Sequence, residues 1–590
     1  MRTDSLRPVI VQGDRTVLLE VNNPAYADAR DALARFAELE KSPEHIHTYR
    51  ITPLSLWNAA ASGMSAEAII EALTRYGRYE LPANVRTDVV DYVGRYGRLK
   101  LRRDGDDLIL QSEDAPLIAE IAHHKRFVGY LLDQRDERTL VVDPAFRGHI
   151  KQALVQFGFP AEDLAGYVEG APLAVALLPE TRDGRAFSLR PYQREAVDVF
   201  YASGGLRGGS GVIVLPCGAG KTIVGLAIIH KLQCSTLILT PNTVAARQWI
   251  SELVDKTSIP REEIGEYSGE RKEIRPVTVA NYQILTYRSS KSGEFPHFQL
   301  FNERDWGLIV YDEVHLLPAP VFRITAEIQA RRRLGLTATL VREDGHEEDV
   351  FSLIGPKKYD VPWKQLEHQG WIATAECHEI RLPLHPELRM TYAMSEDREK
   401  ARIAAENPVK LEALLQILAK HPDDQILIIG QYLAQLALVQ SQLGYPLITG
   451  KTPTRERESL YERFRTGEVQ RLIVSKVANF AIDLPDANVA IQLSGTYGSR
   501  QEEAQRLGRI LRPKRNGLLA HFYSLVTRDT KDQDFAANRQ LFLTEQGYRY
   551  DILGQADLAG YAPVTFQQNG RVAEPLALPG PPESAAKTGY

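Results

Sequence analysis

The sequence predicts an α/β protein with two parallel-sheet domains facing a cleft, preceded by smaller α+β modules. Three observations carry this. From about residue 185, short β-branched runs (GVIVLP, STLILTP, VTVANY, WGLIVYDE, RRLGLTAT) alternate with helical stretches. The same rhythm returns after residue 405 in QILIIG, YPLITG, QRLIVS, VAIQLS and AHFYSLV, beyond an irregular stretch at about 355–405. Strands that read as continuous apolar runs belong to sheets covered by helices on both faces. A single glycine loop stands at the first strand–helix junction of the first half.

Composition sets the outer limits. The chain has 590 residues, 25% charged and 44% hydrophobic, which excludes a wholly disordered, fibrous or disulfide-stapled protein. With 71 Lys and Arg against 76 Asp and Glu, the net charge is −5, so any nucleic-acid binding must come from local grooves. Cys217, Cys234 and Cys377 lie far apart and form no Cys-x-x-Cys pair, which argues against thiolate zinc or iron–sulfur sites. Low cysteine use and an N-terminus without an apolar core predict a reducing, cytoplasmic location. Residues 425–450 carry no formal charge but include five glutamines, three glycines and a proline, so they read strand–helix–strand rather than as a membrane span.

Residues 1–115 are expected to form an N-terminal accessory domain. Ser65 caps the amphipathic run SAEAIIEALTRYG, and an Asp-Gly turn in RLKLRRDGDDLILQS (98–112) predicts a hairpin. Helices followed by such a hairpin suit a winged-helix-like module. Residues 116–182 read as a second small α/β unit, with strands near RFVGYLLDQ and TLVVD and a helix at HIKQALVQFG. Residues 1–180 hold 21 basic and 27 acidic side chains, which suits docking or shape reading better than an electrostatic clamp. The two sheet domains are expected at 183–365 and 366–545, followed by a C-terminal extension at 546–590 whose Pro-, Ala- and Gly-rich end from about 565 predicts disorder.

The run GVIVLPCGAGKTIVGLAIIHKL (211–232) goes strand, glycine loop, helix. Pro216, Cys217, Gly218, Ala219 and Gly220 can turn their backbone N–H groups onto a phosphate, and the helix that follows points its positive end at the same anion. Lys221 supplies an ammonium for β/γ oxygens, and the Thr222 hydroxyl can join a magnesium shell. The full phosphate-loop pattern is not met, because Leu215 stands where its first glycine belongs. In WGLIVYDEVHLLP (306–318) an apolar strand ends in two acids. Asp312 would hold Mg²⁺ and Glu313 would orient or deprotonate the attacking water. In EEAQRLGRILRP (502–513), Gln505, Arg509 and Arg512 fall on one helical face. An arginine reaching across a cleft can stabilise charge on a transferring phosphoryl group and link hydrolysis to domain closure.

Together these motifs resemble superfamily 2 helicases and translocases, and within them the XPB family of DNA helicases. The resemblance rests on LPCGAGKT, on the box Asp312-Glu313-Val314-His315, on LTATLVRED with its Arg342-Glu343-Asp344 end, and on QRLGRILRPK. It implies two recombinase-like (P-loop type) domains, ATP and Mg²⁺ as cofactors, DNA at single-strand/duplex junctions as partner, and a role in DNA repair on the nucleoid, with a nuclease or other repair factor as a protein partner. It implies that Gln193 reads adenine with Arg190 beside it, that Thr240 lies on a DNA-tracking loop, that Arg342, Glu343 and Asp344 form a strand-separating wedge, and that 116–182 is a damage-recognition-like domain. It also suggests a thumb-like insertion at 390–407, for which a plain interdomain helix is the equal alternative. Ala478-Asn479-Phe480 departs from the family's Gly-Asp-Thr. That departure keeps open a second reading, a nucleotide-gated binding module with little unwinding. His315 reads either as a coupling residue or as a packed one, and Arg331-Arg332-Arg333 as a strand edge or a phosphate contact.

Overall fold

The structure, a computed structural model, describes residues 7–560 except 44, 217, 289–294, 330, 339, 341–344, 476–486, 496–518, 547 and 549. The chain begins with β1 (Val9–Val11), β2 (Thr16–Glu20), β3 (Glu38–Lys41) and β4 (Ile46–Arg50). These make an antiparallel sheet of order β1-β2-β4-β3. Its apolar face packs on the helices Tyr26–Leu33, Pro53–Ala61, Ala66–Tyr76 and Ala83–Arg95 through Val17, Leu19, Tyr49, Ile69 and Val85. Ser65 caps its helix as the sequence predicts, accepting from Ala68 N–H at 3.2 Å.

The Asp-Gly hairpin forms as β5 (Leu99–Asp104) and β6 (Asp107–Gln111), but it does not join the first module. It pairs with β7 (Leu131–Asp136), β8 (Thr139–Val142) and β9 (Ala161–Leu164) in a five-stranded sheet of order β7-β8-β6-β5-β9. The expected boundary at 115 is therefore corrected to about 97, and the hairpin supplies no wing to the first module. The reason is packing: Leu99, Leu101, Leu108 and Leu110 share a core with Ile118, Ile121, Leu140 and Leu154.

The first sheet domain contains β10 (Ser210–Val214), β11 (Thr236–Thr240), β12 (Ile264–Tyr267), β13 (Val277–Asn281), β14 (Leu308–Asp312), β15 (Arg332–Thr337) and β16 (Lys357–Asp360). All are parallel, in the order β12-β13-β11-β14-β15-β10-β16. The second contains β17 (Ala375–Leu382), β18 (Ile426–Ile429), β19 (Leu447–Ile448), β20 (Arg471–Val474), β21 (Val489–Gln492), β22 (Ala520–Thr527) and β23 (Tyr550–Gly554). They too are parallel, in the order β19-β20-β18-β21-β22-β17-β23. Residues 425–450 fold as strand–helix–strand, as their glycines and glutamines predict, and no helix among the described residues is long and apolar enough to cross a membrane. The second domain does not end at 545: β23 pairs with β17 and closes its sheet. Residues 561–590 lie outside the described residues. The stretch 390–407 forms two helices, Arg389–Met394 and Asp397–Ala405. The second lies on its own lobe, where the Thr527 hydroxyl donates to the Ala404 carbonyl at 2.6 Å.

The accessory modules are fastened to the first lobe. Arg147 and Lys151, both on helix Arg147–Phe157, bond Asp163 at 2.7 and 3.0 Å with side chains no more than 8% exposed, and Lys151 also donates to Gln329 at 2.8 Å. Burial alone would raise the Asp163 carboxyl, but Lys151 and Arg147 hold it well below the usual carboxylate range. Its contribution is present above its unfolded value near 3.9 and is lost as pH falls toward the depressed folded value. Asp163→Ala leaves two buried cations without a counter-charge and should destabilise the chain by about 3–5 kcal/mol. Calorimetry checks this, and an unchanged Tm would show that the network carries no stability.

Candidate nucleotide site

The phosphate loop leaves β10 at Leu215 and enters helix Lys221–Leu232, as its sequence predicts. Gly218 and Gly220 have φ of 80° and 84°, a backbone region open to glycine and strained for other residues. Ala219 N–H closes a turn onto the Pro216 carbonyl at 3.2 Å. Lys221 and Thr222 open the helix. Cys217 lies outside the described residues.

The two acids sit at the C-terminal end of β14, one strand removed from β10, with β15 between. This is the edge at which open parallel sheets bind ligands. Lys221 Nζ lies 3.4 Å from Glu313 Oε1, with both side chains largely buried. Asp312 Oδ2 accepts the Trp249 indole N–H at 2.9 Å, and its Oδ1 accepts the Glu313 backbone N–H at 3.1 Å. Burial first, and then the neighbouring Glu313 charge, push Asp312 up to about 6; Trp249 and Lys221 oppose them. Glu313 itself adopts the left-handed conformation, φ 49° and ψ 56°, uncommon for a residue with a Cβ and frequent at functional sites. Two adjacent buried carboxylates facing one ammonium make a hard-oxygen set that suits Mg²⁺, with Asp312 and Thr222 as the groups that would hold it.

His315 lies between the acids and the next strand. Its Nδ1 is 2.7 Å from Thr337 Oγ1 and 3.5 Å from Glu313 Oε2. It is 5% exposed, yet it connects the acidic box to β15, so packing and coupling are the same contact. Gln193 underlies the loop: its Nε2 donates to the Ala219 carbonyl at 2.9 Å and its Oε1 accepts the Arg190 N–H at 3.0 Å. Gln193 is 3% exposed, and the adjacent Tyr192 hydroxyl also bonds its amide. Arg190 stacks over Trp371 at 5.0 Å and donates to Tyr192 OH at 3.1 Å, which ties this end of the site to the interlobe segment.

One sequence-predicted contact is corrected. Thr240 is fully buried, and its hydroxyl lies 3.1 and 3.2 Å from the carbonyls of Asn242 and Ala280. It fastens two strand ends and presents no hydroxyl to DNA. At the same edge, Asn281 Nδ2 donates to Thr243 Oγ1 at 3.0 Å, joining two helix N-termini. The three arginines form a strand edge: Arg333 is fully buried and donates to the carbonyls of Leu353 and Gln329, while Arg332 donates to Val168 O. Arg342, Glu343, Asp344, Gln505, Arg509, Arg512 and the triplet 478–480 lie outside the described residues.

Sequence reasoning missed Trp249 and Tyr282, whose hydroxyl donates to the Asp312 carbonyl at 2.8 Å. Trp249 reaches Asp312 across helix Lys221–Leu232 because Gly225 leaves it room; a Cβ there would stand 2.4 Å from the indole. The glycine inside a helix was the available signal.

A phosphate loop, an acidic pair at the end of the next strand but one and a second parallel lobe define a two-lobed, nucleotide-driven machine of the superfamily 2 helicase type. Comparison with known proteins narrows this. Residues 366–572 match the family model described as ERCC3/RAD25/XPB C-terminal helicase, residues 186–342 that of the type III restriction enzyme res subunit, and residues 9–136 that of a helicase conserved C-terminal domain. The chain is 56% identical over 556 residues to the DNA 3'-5' helicase XPB of Mycobacterium tuberculosis, covering 94% of this chain and 99% of the relative. It is 54% identical to the protein of the same name from Kineococcus radiotolerans, covering 94% and 98%. A general transcription and DNA repair factor IIH helicase/translocase subunit XPB from Antonospora locustae is 31% identical, covering 92% and 81%. The chain belongs to the XPB family of DNA helicases.

Trp249→Phe keeps an aromatic ring but removes the donor to Asp312. A hydrogen bond to a charged group contributes about 1.5–3 kcal/mol, so Mg–nucleotide affinity should fall roughly 10- to 100-fold. Titration with a fluorescent ATP analogue measures it, and an unchanged Kd would show that the indole does not position the carboxylate.

Proposed function

We propose that this chain is an ATP-dependent DNA helicase or translocase that couples hydrolysis between its lobes to opening of duplex DNA in repair, in the cytoplasm and on the nucleoid. The pairing of Lys221 with Glu313 at 3.4 Å, beside the buried Asp312, carries the reading. Lys221 cannot serve a carboxylate and a phosphate at once. Phosphate oxygens entering the loop compete for its ammonium, and its departure leaves Glu313 as a base for the attacking water. Thr222 and Asp312 would hold Mg²⁺, which neutralises phosphate charge when bound. Pro216, Cys217, Gly218, Ala219 and Gly220 would turn N–H groups onto the phosphates, and Gln193 and Arg190 would meet the base. Family resemblance supports Gln505, Arg509 and Arg512 as the groups from the second lobe that meet the γ-phosphoryl charge, and Arg342, Glu343 and Asp344 as a wedge at the strand junction. The modules before residue 183 would read DNA shape and offer a docking surface to a repair factor such as a nuclease.

ATP turnover should rise on adding DNA, and a panel of single strands, duplexes, forks and RNA identifies the substrate; no stimulation by any of them would remove the motor reading. Glu313→Gln should keep nucleotide binding while lowering turnover by about 10²–10⁴-fold. Strand displacement separates an unwinding motor from the second reading, a nucleotide-gated module. DNA-stimulated hydrolysis without displacement or translocation would favour the latter, which the altered triplet at 478–480 motivates.

A further inference from the structure

We propose that Glu376, His378 and His521 form a binding site for a divalent transition-metal ion of the zinc class, where β17 and β22 of the second sheet begin. Alternation along β17 puts Glu376 and His378 on one face, and the parallel register pairs Glu376 with His521 on β22. Glu376 Oε2 lies 3.7 Å from His378 Nε2 and 3.6 Å from His521 Nδ1, and one donor atom from each residue falls within 4.8 Å of the others. Metal–nitrogen and metal–oxygen bonds of about 2.0–2.2 Å in a tetrahedron place neighbouring donors roughly 3.3–3.6 Å apart, so closing this set around an ion takes only small side-chain shifts.

The donors are held in place. The His378 and His521 rings stack at 6.1 Å and 21°, and each stacks on Tyr523. His378 Nδ1 faces Asp551 Oδ2 at 3.6 Å, so the ring has a carboxylate behind it and Nε2 on the Glu376 side. A carboxylate behind a ligating imidazole is the usual outer support of such sites. Glu376 Oε2 is buried and accepts no hydrogen bond, an unfavourable state for a carboxylate oxygen without a cation. The nearby His421 is committed elsewhere, to Asp424 at 2.8 Å and to Tyr523 OH at 2.9 Å. The Glu376 side chain is 29% exposed while His378 is fully buried, so solvent reaches the cluster at its carboxylate. Two imidazoles and a carboxylate favour zinc-class ions over Mg²⁺. The cluster sits where β17 and β22 begin, whereas Lys221 and Asp312 sit where the strands of the first sheet run out.

The test uses the full chain, stripped with chelator and dialysed, without nucleotide. Zn²⁺ followed by calorimetry should bind with one equivalent dependent on this cluster and raise Tm, and Co²⁺ should give the visible absorption of a tetrahedral nitrogen–oxygen site. Glu376→Gln, nearly isosteric and partly exposed, should weaken Zn²⁺ binding at least tenfold and abolish both the cobalt band and the Tm shift. His521→Asn should do the same if it folds. No binding by the unaltered chain, or equal binding by the unaltered chain and Glu376→Gln, would overturn the proposal.

Discussion

One electrostatic arrangement organises the first lobe: two carboxylates buried at the end of a central strand, with a single lysine opposite. Asp312 and Glu313 repel each other in a site with little water and share the one ammonium of Lys221, which lies 3.4 Å from Glu313 and also lowers Asp312, though less than burial and Glu313 raise it. Adjacent like charges are unfavourable in a dry site unless a cation or donors compensate. The surrounding structure supplies part of that compensation. Trp249 crosses a helix to donate to Asp312, Tyr282 holds its carbonyl, and His315 links Glu313 to Thr337. The sheet order makes the arrangement possible, because β15 spaces the glycine loop from the acids by a single strand width.

The parts legible in the sequence were those with local signatures. A β-branched run, a Gly-x-Gly-Lys-Thr turn and a helix announce a phosphate loop in a dozen residues, and two sheets follow from the repetition of strand and helix. Contacts between distant segments were not legible. The Asp-Gly hairpin could be recognised as a hairpin, but its sheet could not, since pairing with β8 and β9 depends on which apolar faces meet. Tyr550–Gly554 lies beyond a long helix and reads as a tail until β17 is seen to need a neighbour. Thr240 looked like a free hydroxyl because sequence does not show the carbonyls that surround it. Trp249 had no signature except the glycine that makes room for it.

Family membership spans nearly the whole chain, so the accessory modules belong to the same design as the lobes. The structure shows why they travel together. Helix Arg147–Phe157 is pinned to the first lobe by Lys151, which donates to Gln329 at 2.8 Å while Asp163 answers its charge from within the accessory sheet, and by Gln152, which reaches Asp349 at 2.8 Å. Asn58, in the first module, accepts the Lys357 backbone N–H at 3.0 Å, and Trp57 packs with Phe351. A buried polar group satisfied across a boundary is left without its partner if the two sides separate, which makes such a joint stiff.

The first module also meets the second lobe. Leu541, on helix Lys531–Glu545, is 4% exposed and sits in the same apolar cluster as Val17, Leu39 and Tyr49. The module thus spans the two lobes like a strut, tied to one by the Asn58 hydrogen bond and the Trp57–Phe351 contact and resting on the other through greasy contact. Apolar surfaces are non-directional and can slide, whereas a directional hydrogen bond must break. A change in the angle between the lobes would therefore be taken up at Leu541 before it parts Asn58 from Lys357.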